Sequence, residues 1–171
     1  MALQLYRIAT TELTGSQSTI TFSSIPQGYT DLKVVVSTRQ SSGNAQENNL
    51  IQFNGTTTNY YDRILFGSGS SVGSITDSNT TAGLQYFYSP SGGATANTFS
   101  NTEFYIPNYT SSNTKSVSYD SVDENNATAA YAFLGAGLWS NTAAITSIIL
   151  KPANGANSYV QYTTATLYGI L

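Results

Sequence analysis

The chain has 171 residues, of which 40% are hydrophobic and 9% are charged, and its net charge is −3. It contains no Cys and no His, which excludes disulfides, Ser-His-Asp and Cys-His catalytic triads, and the usual zinc ligands. The six Lys and Arg residues are scattered singly, which argues against nucleic acid as a partner. The length predicts a single domain, residues 1–171.

The polar character of the chain comes from uncharged side chains. Ser, Thr and Asn together account for 62 residues, and 12% of the chain is aromatic. Aromatic content combined with repeated β-branched runs predicts a packed β protein rather than a disordered one. The longest apolar segment, 129–139, has 11 residues and two glycines, which is too short to span a membrane, and no signal peptide is evident.

In the first half of the chain, alternating apolar and polar residues predict five β-strands, at 3–8, 19–25, 32–39, 50–53 and 60–66. Three consecutive valines, 34–36, predict that the third strand is buried on both faces and lies inside a sheet. Asn54-Gly55 predicts a two-residue hairpin turn between the fourth and fifth strands, with a longer loop as the alternative.

The second half continues with short strands. Segment 67–83 is rich in Gly, Ser and Thr, and predicts either a long surface loop or a short edge strand. Strands follow at 84–88, 99–106 and 115–122. Gly135 and Gly137 interrupt the apolar segment 131–139 and predict a bulge or a kinked strand. Segment 126–134 is the one weak helical candidate, because its alanines favour a helix but its aromatic residues do not.

The C-terminal segments 144–150 and 159–171 predict a β-hairpin whose turn contains Pro152 and Asn154-Gly155. Because the chain ends inside an apolar strand, we expect that strand to lie within a sheet, paired with the N-terminal strand. Nine to eleven short strands with turns between them predict an all-β fold, a single antiparallel β-sandwich of the jelly-roll type.

Few residues suggest enzymatic chemistry or metal binding. A glycosidase needs two carboxylates facing each other, and Asp120 with Glu124 or Glu103 with Asp120 are the candidate pairs. Asp120, Asp123 and Glu124 could also supply calcium ligands, but they lack the spacing of an EF-hand loop, and a solvated turn is favoured. The sequence therefore predicts no enzyme activity and no cofactor.

Aromatic residues are the candidate ligand or interface residues. Rings can contact sugars or a partner subunit, although in a β-sandwich they more often pack in the core. An adhesin would expose its rings at loop tips, whereas a structural protein would gather Tyr and Leu on a flat self-association face. The candidates are Tyr60, Tyr61, Tyr86, Tyr88, Tyr109 and Trp139.

Four segments together resemble small accessory virion proteins of tailed bacteriophages, especially those of cyanophages. They are 23–32 (SSIPQGYTDL), 51–55 (IQFNG), 105–109 (YIPNY) and 162–170 (YTTATLYGI). The resemblance implies a jelly-roll protein on the outer surface of the virion that assembles with itself, often as a trimer. None of these segments is catalytic.

Two roles are open within such a virion. A capsid decoration, or cement, protein would bind the major capsid protein on the outer face of the head and stabilise the lattice. A head or tail fibre, or a receptor-binding adhesin, would recognise host surface glycans. No shaft, coiled coil or repeat precedes the first predicted strand, which favours decoration. Neither role requires nucleic acid or a membrane as a partner.

Overall fold

The computed structural model describes residues 4–80, 82–126 and 130–171. These residues form β-strands and no helix, which confirms the all-β class, with one strand more than the largest predicted number. The strands are β1 (Leu5–Glu12), β2 (Ile20–Phe22), β3 (Asp31–Ser37), β4 (Gln46–Phe53), β5 (Tyr60–Gly67), β6 (Val72–Thr80), β7 (Leu84–Pro90), β8 (Asn101–Ile106), β9 (Lys115–Asp123), β10 (Tyr131–Trp139), β11 (Ile148–Pro152) and β12 (Thr164–Ile170).

The strands form two antiparallel sheets. The large sheet has the order β1-β12-β3-β8-β9-β10-β5-β6, and the small sheet has the order β2-β11-β4-β7. Without β5, β6, β9 and β10, the remaining strands form two four-stranded sheets, and the chain passes from one sheet to the other at every step except from β4 to β7, which are neighbours in the small sheet. That connectivity is the double Greek key of a jelly roll. The hairpins β5–β6 and β9–β10 extend one edge of the large sheet.

The two ends of the chain are neighbours in the large sheet. β12 lies between β1 and β3 and pairs antiparallel with both of them. The predicted C-terminal hairpin is wrong, because β11 belongs to the small sheet, where it pairs with β2 and β4. Residues 153–163 cross from one sheet to the other, and the buried Tyr159 in this crossing bridges to Gln17 and Gln40.

The turn at Asn54-Gly55 forms as predicted, but it does not make a hairpin. Both residues have the left-handed φ values, 53° and 66°, that such a turn requires. The longer-loop alternative is correct, because β4 and β5 lie in different sheets. The Asn54 side chain ties the turn to the segment before β11: its Nδ2 donates to the Ala144 carbonyl at 2.8 Å and its Oδ1 accepts from Thr146 N at 2.8 Å.

Two predictions for the β5–β10 region need correction. Segment 67–83 contains the edge strand β6, which is nine residues long rather than short. The predicted bulge in β10 is absent, because β10 pairs in unbroken register with both β9 and β5. A Cβ built at Gly135 would lie 2.0 Å from Tyr119 Cζ, and one at Gly137 would lie 2.7 Å from Leu84 Cδ1. The glycines therefore accommodate packed side chains. Of the weak helical candidate 126–134, residues 131–134 belong to β10, and 127–129 lie outside the described residues.

The core lies between the two sheets. Val34, Phe104 and Leu167 from the large sheet meet Phe53, Phe87 and Leu150 from the small sheet, and all six side chains are 0% exposed. The Phe87 and Phe104 rings pack edge to face, with centroids 4.9 Å apart. β3 is an interior strand, as predicted, but it alternates between buried and half-buried residues.

Arg39, at the end of β3, holds the loop between β7 and β8. Its Nη1 donates to the carbonyls of Thr95 and Thr98 at 2.9 and 3.0 Å, and its Nη2 donates to the Ser91 carbonyl at 2.7 Å. Its Nη2 also donates to the Ala94 carbonyl at 3.3 Å, so one guanidinium satisfies four loop carbonyls that would otherwise need water.

We expect Arg39→Met to lower the free energy of unfolding by about 2 kcal/mol, because hydrogen bonds to charged groups are worth more than neutral ones. Urea unfolding would measure the loss, and limited proteolysis should cut the 91–98 loop faster. Arg7→Met is the matched control, since Arg7 is exposed and should change the stability by less than about 0.5 kcal/mol. Equal losses in both variants would contradict this role for Arg39.

Candidate functional site

Three of the six predicted aromatic residues lie in the core. Tyr60, Tyr109 and Trp139 are all 0% exposed. The Trp139 ring lies 5.6 Å from the Phe53 ring and 6.4 Å from the Tyr60 ring, measured between centroids. The Tyr60 hydroxyl accepts a hydrogen bond from Phe53 N at 2.8 Å. These positions match the core-packing alternative rather than a ligand-contacting surface.

The other three, Tyr61, Tyr86 and Tyr88, are half-buried, so the structure does not gather the six residues at one surface. Tyr86 has a φ of 64°, a strained value for a bulky residue, and its N–H donates to Asn48 Oδ1 at 2.8 Å. Tyr88 stacks on Phe133, with ring centroids 5.1 Å apart and ring planes 10° apart.

Tyr88 belongs to an aromatic recess that the sequence did not predict. Four rings, from Phe66, Tyr88, Tyr131 and Phe133, surround a cavity of about 140 Å³ together with Gln46 and Ile75. Tyr131 and Phe133 reach the same side because alternate residues of a strand share a face. That spacing was visible in the sequence, but nothing in it showed that Tyr88 would stack over them from the other sheet.

The outer face of β9, β10, β5 and β6 exposes large apolar side chains. The exposed fractions are 60% for Leu65, 59% for Leu134, 91% for Val72 and 45% for Val122. Glycine and alanine residues, which project little from the sheet, lie between them. We call this surface the leucine face and define it as Leu65, Gly67, Val72, Val122, Ala132, Leu134 and Ala136.

The leucine face is a low ridge with a hollow on each side. Leu134 and Leu65 are directly opposite each other on β10 and β5. One hollow of about 530 Å³ lies on the Ala136 side of this pair, and another of about 580 Å³ lies on the Ala132 side. The face extends from β9 to β6, which is about 14 Å at the usual strand spacing. The leucine face contains no Tyr, and it therefore differs in composition from the association face of Tyr and Leu that the sequence predicts.

Charged residues flank the leucine face. Asp120 on β9 is opposite Leu134, and Arg63 on β5 is opposite Ala136. The Nη1 of Arg63 donates to the carbonyls of Asp62 and Asp77 at 2.9 and 3.0 Å. The carboxylate of Asp120 has no hydrogen-bond or ionic partner within the described residues. Both groups therefore keep bonding capacity for a partner.

The candidate carboxylate pair Glu103 and Asp120 does lie together, on β8 and β9. The two residues are directly opposite in register, and Glu103 also forms an ion pair with Lys33 at 2.6 Å. They line a shallow hollow of about 350 Å³ on the outer face of the large sheet. A glycosidase instead holds the sugar between its two carboxylates, and these two are side by side on one surface.

The acidic segment 120–124 does not bring its three carboxylates together. Asp120 and Glu124 are exposed, whereas Asp123 is 0% exposed and points to the inner face. Burial raises the pKa of Asp123 to about 6. In the described part of the chain, no group of three or more acidic side chains could hold a metal ion. The favoured solvated turn is wrong for residues 120–123, because they belong to β9 and Asp123 is buried.

Asp62 is a buried acid that is not among the candidate residues predicted from the sequence. It is 0% exposed on the inner face of β5, and its Oδ2 accepts from Gln85 N at 3.0 Å. The Tyr119 hydroxyl donates to the Gln85 carbonyl at 2.7 Å and lies 3.1 Å from Asp62 Oδ1. Burial raises the pKa of Asp62 to about 7, against the smaller lowering effect of these hydrogen bonds. These hydrogen bonds link β5 and β9 of the large sheet to β7 of the small sheet.

Comparisons with protein-family models, with curated proteins and with solved structures find no match to this chain. Among the described residues, no helix is long and apolar enough to cross a membrane.

Proposed function

We propose that this chain is a non-enzymatic structural protein of a tailed-bacteriophage virion, acting as a capsid decoration protein on the outer surface of the head. The leucine face carries the proposal. Contiguous exposed apolar surface usually marks a protein contact, and an exposed ridge between two open hollows suits another protein better than a small molecule, whose sites enclose most of the ligand.

The segments that carry the phage resemblance support a shared architecture. Segment 105–109 contacts segment 23–32, because the Tyr105 hydroxyl donates to Asp31 Oδ2 at 2.6 Å and the Tyr109 hydroxyl donates to the Pro26 carbonyl. Segment 162–170 meets it too, since a Cβ built at Gly169 would lie 2.3 Å from Tyr29 Cγ. The resemblance therefore rests on residues that hold strands together, as expected for a structural protein.

A decoration protein stabilises a capsid by mass action. Anything that binds the assembled lattice and not its free subunits shifts the equilibrium towards assembly, and several contacts to neighbouring major capsid subunits add avidity. Such a protein needs an exposed binding face and no reaction chemistry. The implied trimer stays a prediction.

The number of copies of the chain per virion tests the proposal. We expect hundreds, from quantitative mass spectrometry of purified particles against the major capsid protein. Leu134→Glu should lower incorporation at least tenfold, because it places a charge in the apolar contact. Tyr162→Glu is the matched control, since Tyr162 is 62% exposed and lies outside the two hollows of the leucine face. A copy number of a few to a few tens would contradict decoration.

The aromatic recess favours the alternative role of a fibre or receptor-binding adhesin. Ring faces can stack against apolar patches of a sugar, and Gln46 Oε1, which has no hydrogen-bond partner in the described structure, could accept a hydroxyl. A low copy number, together with loss of host-glycan binding in a Tyr88→Ala variant, would support this role instead.

A further inference from the structure

We propose that the leucine face pairs with the leucine face of a second copy of this chain, around a two-fold axis. The inference rests on the proposed function only because both use the leucine face. It identifies a second copy of the chain as the partner of that face. It requires no virion, so purified protein can test it separately.

The charges of the leucine face complement one another when the face meets itself. Asp120 on β9 and Arg63 on β5 lie on opposite sides of β10 and one row of side chains apart. An in-plane two-fold axis that crosses β10 between Leu134 and Ala136 exchanges their two positions. Each Arg63 then faces Asp120 of the second copy, and the pair forms twice, as an isologous contact requires.

The same axis also matches the apolar residues. It runs diagonally from β10 towards Val72 on β6, so Leu134 of one copy meets Leu65 of the other and the two Val72 side chains meet near the axis. The hollows beside the ridge lie over small residues, including Ala132, Ala136 and Gly73. They leave room for the partner's leucines, and ridge and hollow can interdigitate.

A second copy also corrects a local imbalance of charge. Glu103 and Asp120 are like charges directly opposite each other on β8 and β9, an arrangement that weakens strand pairing. Lys33 balances Glu103, but Asp120 has no such partner within the described residues. Arg63 of the second copy would supply it, with its Nε and Nη2 donors in addition to the Nη1 already bound.

Light scattering after size exclusion, over a range up to about 500 μM, tests the pairing, because an interface of this extent belongs to the weak class. We expect a concentration-dependent mass of two chains, or of six if the implied trimer also forms. Arg63→Asp and Asp120→Arg should each weaken the association at least tenfold, because each brings like charges together, and the double variant should restore it to within about threefold. Arg7→Asp, an exposed charge reversal on β1, should leave it unchanged.

Several results would overturn the inference. They are a mass of one or three chains at every concentration, single reversals without effect, and a double variant that stays as weak as the singles while its thermal unfolding matches the parent. If purified chains remain monomeric but Leu134→Glu is not incorporated into virions, the face binds a capsid partner instead, and the proposed function stands without this inference.

Discussion

Asp62→Asn is expected to raise the free energy of unfolding at pH 8 by up to about 4 kcal/mol and to leave it nearly unchanged at pH 4. Asn has the donors and acceptors of a protonated Asp. Its amide oxygen can accept from Gln85 N, and its amide nitrogen can donate to the Tyr119 hydroxyl, which in turn donates to the Gln85 carbonyl. The ionised carboxylate disrupts this arrangement, because the single hydroxyl proton cannot serve both acceptors.

The direction follows from the pKa in the two states. The pKa of Asp62 is 3.8 when unfolded and about 7 when folded, so the folded state binds the proton more tightly. Stability from this group is fully present below about pH 4 and is lost as the pH rises to about 7. The difference of about three pKa units corresponds to about 4 kcal/mol.

Urea unfolding at pH 4, 5, 6, 7 and 8 measures the effect. The wild-type protein should lose stability across this range, and Asp62→Asn should lose less, with the remaining slope partly due to Asp123. Asp77→Asn is the matched control, since the charge of Asp77 on β6 raises the pKa of Asp62 much less than burial does, and most of the pH slope should remain. If the free energies of unfolding of the wild type and Asp62→Asn differed by the same amount at pH 5 and pH 8, this result would contradict the interpretation.

Gly135→Ala is expected to lower the free energy of unfolding by at least about 3 kcal/mol. The new Cβ would lie 2.0 to 2.4 Å from three atoms of the Tyr119 ring, well inside van der Waals contact. Tyr119 is 2% exposed, so its ring can move only by displacing other core side chains. Overpacking of this severity exceeds the usual penalty of about 1 to 3 kcal/mol, and it would also break the hydrogen bonds of the Tyr119 hydroxyl.

Chemical denaturation measures this loss, and two comparisons isolate its cause. Gly28→Ala should change the stability by less than about 0.5 kcal/mol, because no atom lies within 4 Å of a Cβ built at Gly28. In a Tyr119→Leu background, Gly135→Ala should be milder by at least about 1 kcal/mol, as expected for residues in contact. The same loss in both backgrounds would show that the Tyr119 ring is not responsible.

The inside and outside of most strands could be predicted from the sequence. In β8 the alternation sets Phe104 and Ile106 on one face, and both lie in the core. Of the three valines in β3, only Val34 and Val36 are buried, so the predicted burial on both faces is wrong for Val35. Two adjacent tyrosines show the limit of alternation as a predictor of burial. Tyr60 and Tyr61 are neighbours on one strand and must face opposite sides, but the sequence does not say that Tyr60 is the buried one.

The site could be predicted less well, because its residues become neighbours only when strands pair. Leu65 and Leu134 are 69 positions apart in the chain and stand opposite each other on β5 and β10. Composition alone marks the six aromatic residues as candidates, and three of them are core residues. The sequence does not indicate that Asp62 is buried, since an isolated acid in a strand is expected at the surface. Only the packing of the second sheet covers it.

By itself, the sequence determined the all-β class, most of the strand positions and the absence of Cys and His chemistry, because alternation and composition act over a few neighbouring residues. The tertiary structure alone decided which sheet each strand joins. The sequence predicts one hairpin for β11 and β12 because a strand with one apolar face has the same residue pattern in either sheet. Only the pairing of β9, β10, β5 and β6 creates the leucine face, and only the packing of β7 against them buries Asp62.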